Sequence, residues 1–406
     1  MSTDDHSYSK EFAILMALLI SVVAISIDAL LPALGVIGKD LHLANPNHAQ
    51  FLIVALFGGM AVGQLVAGPL SDALGRKPVL YWGIGLYLCG SLLCFLAPQF
   101  GGVLAGRVIQ GLGVSAPYVS AMSIVRDKYA GRAMAKIMSI VMMIFIMVPA
   151  IAPSLGQGIL LVAPWRAIFV LYIFYAVAVT GWIFFRLEET LPPEKRIPFH
   201  VPNIRAGFVE VFGNRLTMCY TVCMGIAFGS FTGYLNSAQQ IFQTQFGAGK
   251  MFTVYFGSLA LVFGVSSLLN SRFVERLGMH YICKRSFICI VAASAAFFAL
   301  NLAMEPRLWM FLAYASVLFF SVGLVFGNLN ALAMEPMGHI AGIASAVIGF
   351  VSSMVSMVLG AGIGQMYNGT LIPMTLGFLV LGSLSLIILL YTSSPRWQTA
   401  VPAGTD

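Results

Sequence analysis

The chain has 406 residues, of which 59% are hydrophobic and only 9% charged, and its formal net charge is +7. Soluble domains carry about 25% charged residues, so this composition excludes a water-soluble enzyme and a disordered chain. The basic residues form no run interleaved with aromatic side chains, which argues against a nucleic-acid-binding protein. Most of the chain must therefore face lipid or other buried helices.

Twelve apolar stretches, each long enough to cross a bilayer as a helix, follow one another along the chain. Prolines, glycines and charged residues separate them. They lie near residues 12–34, 50–70, 79–97, 102–124, 137–161, 166–185, 216–241, 251–271, 285–304, 309–333, 342–366 and 371–391. The sequence thus predicts an all-α integral membrane protein with twelve transmembrane helices.

The most polar stretch of the chain lies between the sixth and seventh spans. A short pattern repeats in the two halves, because Asp72-Ala-Leu-Gly75 after the second span is matched by Glu275-Arg-Leu-Gly278 after the eighth. Many transporters are built from such paired repeats. We predict an N-terminal six-helix bundle, a cytoplasmic linker, and a C-terminal six-helix bundle with a short cytoplasmic tail, over residues 1–185, 186–215 and 216–406.

Most of the 22 lysines and arginines fall on one side of the membrane if the amino terminus is cytoplasmic. Basic loops stay on the cytoplasmic side, and an even number of spans then places both termini there. No cleavable signal peptide is evident. The six cysteines form no CxxC pair and have no neighbouring histidine, so no metal site is predicted.

Asp28 is the only carboxylate well inside a predicted span. Counting along the helices from the span centres places Asp28 about 7–8 Å and Arg107 about 9 Å toward the outside, so the two charges share a level. We predict that they pair or compete through water. A carboxylate whose access to water or ligand changes can switch between its protonated and ionised forms, as a proton-coupled carrier requires. A static structural ion pair is the alternative.

The loop after the second span reads Gly68-Pro-Leu-Ser-Asp72-Ala-Leu-Gly75-Arg76-Lys77-Pro78-Val-Leu80. Glycines allow a tight turn, and a carboxylate next to two cations can form charge-assisted hydrogen bonds at helix ends. The stretch resembles the signature loop of the major facilitator superfamily nearly residue for residue, whereas a basic loop with a chance aspartate is the alternative. The resemblance implies two pseudo-symmetric six-helix bundles and a gate formed by Gly68, Asp72, Gly75, Arg76 and Lys77.

The fourth span contains Gly106-Arg107-Val-Ile-Gln110-Gly111. An arginine inside a span is costly and usually pairs with another group or lines water. The arrangement resembles the fourth-helix motif of the same superfamily, which implies functional roles for Arg107 and Gln110. An arginine that snorkels to the outer interface is the alternative. Tyr118 shares a helical face with Arg107, and Gln110 and Tyr118 are candidate cavity residues.

The fifth span contains Pro149-Ala-Ile-Ala152-Pro153-Ser-Leu-Gly156-Gln157-Gly158. Prolines four residues apart free backbone carbonyls and bend a helix, and a glycine lets a neighbouring helix approach. The pattern resembles the fifth-helix motif of superfamily antiporters, with departures at Ala152 and Gln157, and a generic proline kink is the alternative. The resemblance implies export through a bending helix shaped by Pro149, Pro153 and Gly156.

Three further segments are similar to the bicyclomycin-resistance (Bcr/CflA) branch of drug:proton antiporters. They are Asp28-x-x-Leu31-Pro32-Ala33-Leu34, Ile124-Val-Arg126-Asp127 and the stretch from Ala333 to Ala346. The resemblance then covers almost the whole chain. An aromatic residue often precedes the Leu-Pro of the first span in that branch, whereas this chain has Leu30.

The second half of the chain has few charges, so polar and aromatic residues of its spans are predicted to line a cavity. The candidates are Tyr234, Asn236 and Asn328. Such walls suit bulky amphipathic ligands, and packing within a helix bundle is the alternative.

The resemblance implies a multidrug efflux transporter of the bacterial inner membrane that exchanges protons for amphipathic small molecules by alternating access. We expect drug-like compounds, protons and the lipid bilayer as partners, no nucleic acid, a monomeric functional unit, and no cofactor besides the proton gradient. A metabolite exporter or a proton-coupled importer could use the same parts. A membrane enzyme is disfavoured, because the loop carboxylates lie in separate loops rather than in one cluster: Asp72, Asp127, Glu188 and Glu335.

Overall fold

α-Helices form almost all of the computed structural model, which describes residues 3–129, 131–196 and 201–392. The first half of the chain contributes α1 (Thr3–Asp28), α2 (Leu34–Asp40), α3 (Phe51–Leu74), α4 (Arg76–Leu96), α5 (Phe100–Lys128), α6 (Gly131–Val162) and α7 (Ala167–Arg186). The second half contributes α8 (Val201–Gly213), α9 (Arg215–Gln239), α10 (Phe252–Leu277), α11 (Met279–Ala303), α12 (Leu308–Met334), α13 (Ala341–Gln365) and α14 (Ile372–Thr392). These described ranges contain no strand, so the predicted all-α class is confirmed.

Eleven stretches of the described chain are long and apolar enough to cross a membrane. One of them, Leu308–Gln365, is 58 residues long, which is about 87 Å of helix at 1.5 Å per residue and too long for one crossing. It consists of α12 and α13, joined by the 3-10 turn Glu335–Ile340, in which Met337 has non-helical dihedral angles. The twelve predicted spans therefore correspond to twelve long helices.

The first span differs from its prediction because its helix is interrupted. α1 ends at Asp28, a 3-10 turn covers Leu31–Ala33, and α2 continues the span to Asp40. Pro32 has no N–H, so it cannot donate to the carbonyl oxygen of Asp28 four residues earlier, as a continuous helix would require. The interruption is buried, since Leu30 and Leu31 are 0% exposed.

The predicted linker contains a helix that the sequence interpretation missed. α8 lies within it, and Val211 on this helix is fully buried. Gly207 of α8 lies against the side chain of Ile343 on α13. The overall polarity of this stretch hides the short apolar face of α8.

Packing divides the chain into two compact units. One consists of Met1–His200 and Gly249–Leu261, and the other of Val201–Ala248 and Val262–Asp406. In the first unit the most extensive helix contacts join α5 to α3 and to α4. In the second unit they join α9 to α13.

Glycines set the close approach of α4 and α5. A Cβ atom on Gly83 would lie 2.7 Å from the carbonyl oxygen of Gly113 and even closer to the Cβ of Ala116. Lipid gives apolar helices no hydrophobic drive to associate, so close backbone packing through small residues is a main source of their attraction. Gly85, two residues further along α4, has no atom within 4 Å of such a Cβ.

We predict that Gly83→Ala destabilises the protein by about 1–3 kcal/mol, because the extra methyl group forces α4 away from α5. Gly85→Ala is the matched control and should leave stability unchanged or slightly raised, since alanine favours helix over glycine. Thermal unfolding of the purified variants in detergent measures both. Equal unfolding temperatures for the two variants would contradict this account of the interface.

Candidate functional site

Arg107 lies fully buried in α5 and is held by acceptors from three helices. Its Nε donates to the carbonyl oxygen of Leu52 on α3, its Nη1 to Oε1 of Gln110, and its Nη2 to the carbonyl oxygen of Ser26 on α1, each at 2.9 Å. The alternative of a snorkelling arginine is therefore wrong. The guanidinium instead fixes the main chains of α1 and α3 against α5.

A second layer of hydrogen bonds surrounds this arginine. Gln110 Nε2 donates to Ser91 Oγ at 2.7 Å, and Ser91 Oγ donates to the carbonyl oxygen of Tyr87 at 2.8 Å. The hydroxyl groups of Tyr87 and Ser26 are 2.6 Å apart, and Tyr172 OH donates to the carbonyl oxygen of Ser26 at 3.2 Å. Residues of α1, α4, α5 and α7 thus form one buried polar network.

Asp28 is the last residue of α1 and is 5% exposed. Among the described residues no ion pair includes it, and none includes Arg107. A direct ion pair of Asp28 with Arg107, one of the two predicted arrangements, is thus absent among these residues, because main-chain and amide oxygens accept the hydrogen bonds of the guanidinium. The two residues are connected through the backbone. Arg107 and Tyr172 both donate to the carbonyl oxygen of Ser26, which lies two residues before Asp28.

The interrupted first span is also where α6 approaches. A Cβ atom on Gly156 would collide with the carbonyl group of Ala29. Pro149 and Pro153 lie inside the same helix, about two turns and about one turn before this glycine. Gly156 of the predicted antiporter motif therefore packs directly against Ala29, the residue that follows Asp28. A residue with a side chain would not fit there. Tyr118 is half-buried on α5 about three turns beyond Arg107, outside the polar network.

Arg76 is the centre of the predicted gating loop. Its side chain is 5% exposed, and its Nη1 donates to Asp72 Oδ1 at 2.6 Å and to Ser71 Oγ at 3.1 Å. Its Nε and Nη2 donate to the two carboxylate oxygens of Asp127 at 2.8 and 3.4 Å. Asp72 and Asp127 lie at the ends of different helices, α3 and α5, and the guanidinium of Arg76 joins them.

Glu189 completes this cluster and was not predicted to be part of it. Its carboxylate oxygens accept the backbone N–H groups of Arg76 and Lys77, each at 3.0 Å. A carboxylate at a helix amino terminus is favourable, because the first N–H groups of the helix lack partners. Lys77 Nζ donates to the carbonyl oxygen of Leu187 at 2.5 Å. Gly75 permits the turn before α4 with its positive φ of 104°.

The three predicted cavity residues of the second unit have different surroundings. Asn328 exchanges hydrogen bonds with Asn270, at 2.8 and 3.3 Å, so this amide is part of helix packing between α10 and α12. Tyr234 packs edge-on against Phe319, with ring centroids 5.0 Å apart. Asn236 is buried on α9, and neither polar atom of its side chain has a partner in the described part of the chain.

The sequence also matches the family model described as Major Facilitator Superfamily over residues 16–361. A Bacillus subtilis (strain 168) protein named Uncharacterized MFS-type transporter YdgK is 30% identical, over 89% of this chain and 90% of that protein. The Bicyclomycin resistance protein homolog of Haemophilus influenzae is 27% identical, over 89% and 91% of the two chains. Multidrug resistance protein MdtL of Klebsiella pneumoniae is 29% identical, over 91% and 92%.

The fold is similar to a solved transporter structure. The xylose transporter XylE from E. coli superposes with a TM-score of 0.74 over 98% of this chain and 99% of that one, at 10% sequence identity. At this identity the likeness extends to the fold alone.

We predict that Arg76→Gln lowers stability by about 2–3 kcal/mol, because it leaves two partly buried carboxylates side by side without their cation. Adding Asp127→Asn to that variant should recover part of the loss. Arg166→Gln is the matched control: it breaks a more exposed pair with Asp40 and should change stability by at most about 1 kcal/mol. Thermal unfolding in detergent gives all three values, and additive losses for the double variant would contradict the account.

Proposed function

The chain belongs to the Major Facilitator Superfamily, and on that premise we propose that it exports amphipathic compounds in exchange for protons. The family and its transporter-named relatives indicate a multi-pass membrane transporter of small molecules and not an enzyme. Two relatives are named for bicyclomycin or multidrug resistance. Those names, together with the segments shared with the Bcr/CflA branch, support drug-like compounds as the substrates and the bacterial inner membrane as the location.

Asp28 carries the proposal. An ionised carboxylate away from water is costly unless a cation or hydrogen-bond donors compensate it. No cation of the described chain pairs with this one. The proposed transport cycle uses this property: Asp28 binds a proton when the site is closed to substrate, and it releases the proton when substrate or water stabilises the carboxylate.

Arg107 acts in this proposal as a positioning residue. Its hydrogen bond to the carbonyl oxygen of Ser26 holds the end of α1, and Asp28 follows two residues later. Gly156 leaves room for the interrupted helix beside α6. Gln110 keeps the guanidinium oriented through its hydrogen bond to Nη1. These contacts determine where the carboxylate lies without neutralising it.

The Arg76 cluster is the proposed gate. Asp72 and Asp127 hold Arg76, and Glu189 holds the first turn of α4, so the loop between α3 and α4 has a defined conformation in the first unit. In the proposed alternating-access cycle this loop keeps the cytoplasmic side closed during part of the cycle. The energy comes from the proton gradient, without a cofactor, and a monomer suffices.

A metabolite exporter or a proton-coupled importer would use the same carboxylate and the same gate. The antiporter-type pattern of α6 and the resistance-named relatives favour export of foreign compounds. The direction of transport distinguishes the importer from the exporter, and growth of an efflux-deficient host on a panel of toxic compounds distinguishes a drug exporter from a metabolite exporter.

We predict that cells producing the protein retain less of a fluorescent amphipathic cation than cells without it, and that a protonophore removes the difference. Asp28→Asn should raise retention to that of cells without the protein, because asparagine keeps the size of the side chain but cannot exchange a proton. Asp40→Asn is the matched control and should behave like the unmodified protein, since Asp40 bonds Trp165 and Arg166 outside the polar network. Unchanged efflux with Asp28→Asn would refute the assignment, and higher retention caused by the unmodified protein would indicate import.

A further inference from the structure

The interruption of α1 makes the carbonyl oxygen of Ser26 available to side chains. In an uninterrupted helix the Leu30 N–H would donate to this oxygen, but it donates to the carbonyl oxygen of Ile27 at 3.2 Å. Two side-chain donors bind the Ser26 oxygen: Arg107 Nη2 at 2.9 Å and Tyr172 OH at 3.2 Å. Side chains of α5 and α7 therefore cap the last turn of α1.

Tyr172 is fully buried on α7, near both charged groups of this region. Electrostatic interactions connect its hydroxyl group to the carboxyl group of Asp28 and to the guanidinium of Arg107. Two titratable residues of α4 also act on this hydroxyl group: Tyr87 and Cys94. The part of α6 near Gly156, residues 149–162, includes no titratable side chain. The donors on Ser26 thus belong to the same electrostatic environment as the carboxyl group of Asp28.

The cap changes the charge at the end of α1. The carbonyl end of a helix has a partial negative charge, because its last carbonyl groups lack donors, and this charge disfavours a neighbouring carboxylate. Asp28 is the last residue of α1, so its ionised form lies at this unfavourable end. A donor on the Ser26 oxygen compensates part of the negative charge. Each of the two donors therefore makes it easier for Asp28 to release a proton.

We propose that Tyr172 is a positioning residue for proton exchange at Asp28 and acts through the carbonyl oxygen of Ser26. This inference rests on the proposed exchange of protons at Asp28. Arg107 also binds the main chain of α3 and the amide of Gln110, so its place is determined by three helices. The hydroxyl group of Tyr172 is the part of the cap that depends on α7. A movement of α7 relative to α1 thus changes how readily Asp28 releases its proton.

Tyr175 provides a matched control, three residues further along α7. Its hydroxyl group donates to the carbonyl oxygen of Leu18 on α1 at 2.9 Å, ten residues before Asp28. Tyr175→Phe and Tyr172→Phe each remove one hydrogen bond between the same two helices. Phenylalanine keeps the ring, and with it the edge-on contact of residue 172 with Phe169, whose ring centroids are 5.6 Å apart. A difference between the two variants therefore reports the position of the hydroxyl group.

The test measures the protons released when ethidium binds to the purified full-length protein in weakly buffered detergent, as a function of pH. Release declines above the pH at which Asp28 is already ionised before ethidium binds, so the midpoint of the decline reports how tightly Asp28 holds its proton. We expect Tyr172→Phe to raise this midpoint by about half a pH unit, because the end of α1 loses one donor. Tyr175→Phe should leave the midpoint unchanged, and Asp28→Asn should release no proton.

An unchanged midpoint in folded Tyr172→Phe protein overturns the inference, and so does an equal shift in both tyrosine variants. Failure of Tyr172→Phe to fold, measured by its unfolding temperature, also overturns it, because the hydroxyl group would then serve the fold alone. Two other outcomes identify a failure of the proposed function itself. They are the release of protons by Asp28→Asn and the absence of release by the unmodified protein, and either one removes the basis of this inference as well.

Discussion

A guanidinium buried away from water has to find its acceptors inside the protein, and the position of the first helix depends on how Arg107 does so. Its acceptors are main-chain oxygens of α1 and α3 and the amide of Gln110. No carboxylate in the described ranges forms an ion pair with this guanidinium, so the arginine fixes geometry instead of neutralising a carboxylate. Arg107 thereby joins α1 and α3 to α5, and it shares the carbonyl oxygen of Ser26 with the hydroxyl group of Tyr172.

The interruption of α1 has a similar dependence on backbone chemistry. Pro32 leaves the carbonyl of Asp28 without its helical donor, and a glycine of α6 is the only residue type that fits against Ala29. Irregular backbone inside a membrane is tolerated only where protein or a water-filled cavity surrounds it. Here Leu30 and Leu31 are fully buried, so the protein supplies that environment. The interruption of α1, Arg107 and Gly156 thus together determine the position of the Asp28 carboxylate.

The helices and the positions of the charges inside spans could be predicted from the sequence, because both depend on local composition. Run length alone locates α3 to α7 within a few residues, and Asp28 and Arg107 are conspicuous as charges among apolar neighbours. Asp72 could be predicted as a partner of Arg76 from the loop motif, but Asp127 and Glu189 could not. Asp127 and Glu189 lie 51 and 113 residues away in the chain, and only the folded arrangement shows that they meet Arg76. For the same reason, counting residues along the helices could place Asp28 and Arg107 at the same depth. It could not show that backbone oxygens accept the hydrogen bonds of the arginine.

The Arg76 cluster and Asp28 differ in how their charges are compensated. Arg76 is held by two carboxylates, and these contacts order the loop. Asp28 has no such cation, so a proton can bind or leave without breaking an ion pair of the described chain. A transporter that couples protons to substrate needs both arrangements: fixed charges where the backbone must stay in place, and one carboxylate whose charge is free to change. In the proposed mechanism, the cluster around Arg76 and the carboxylate of Asp28 are therefore complementary parts.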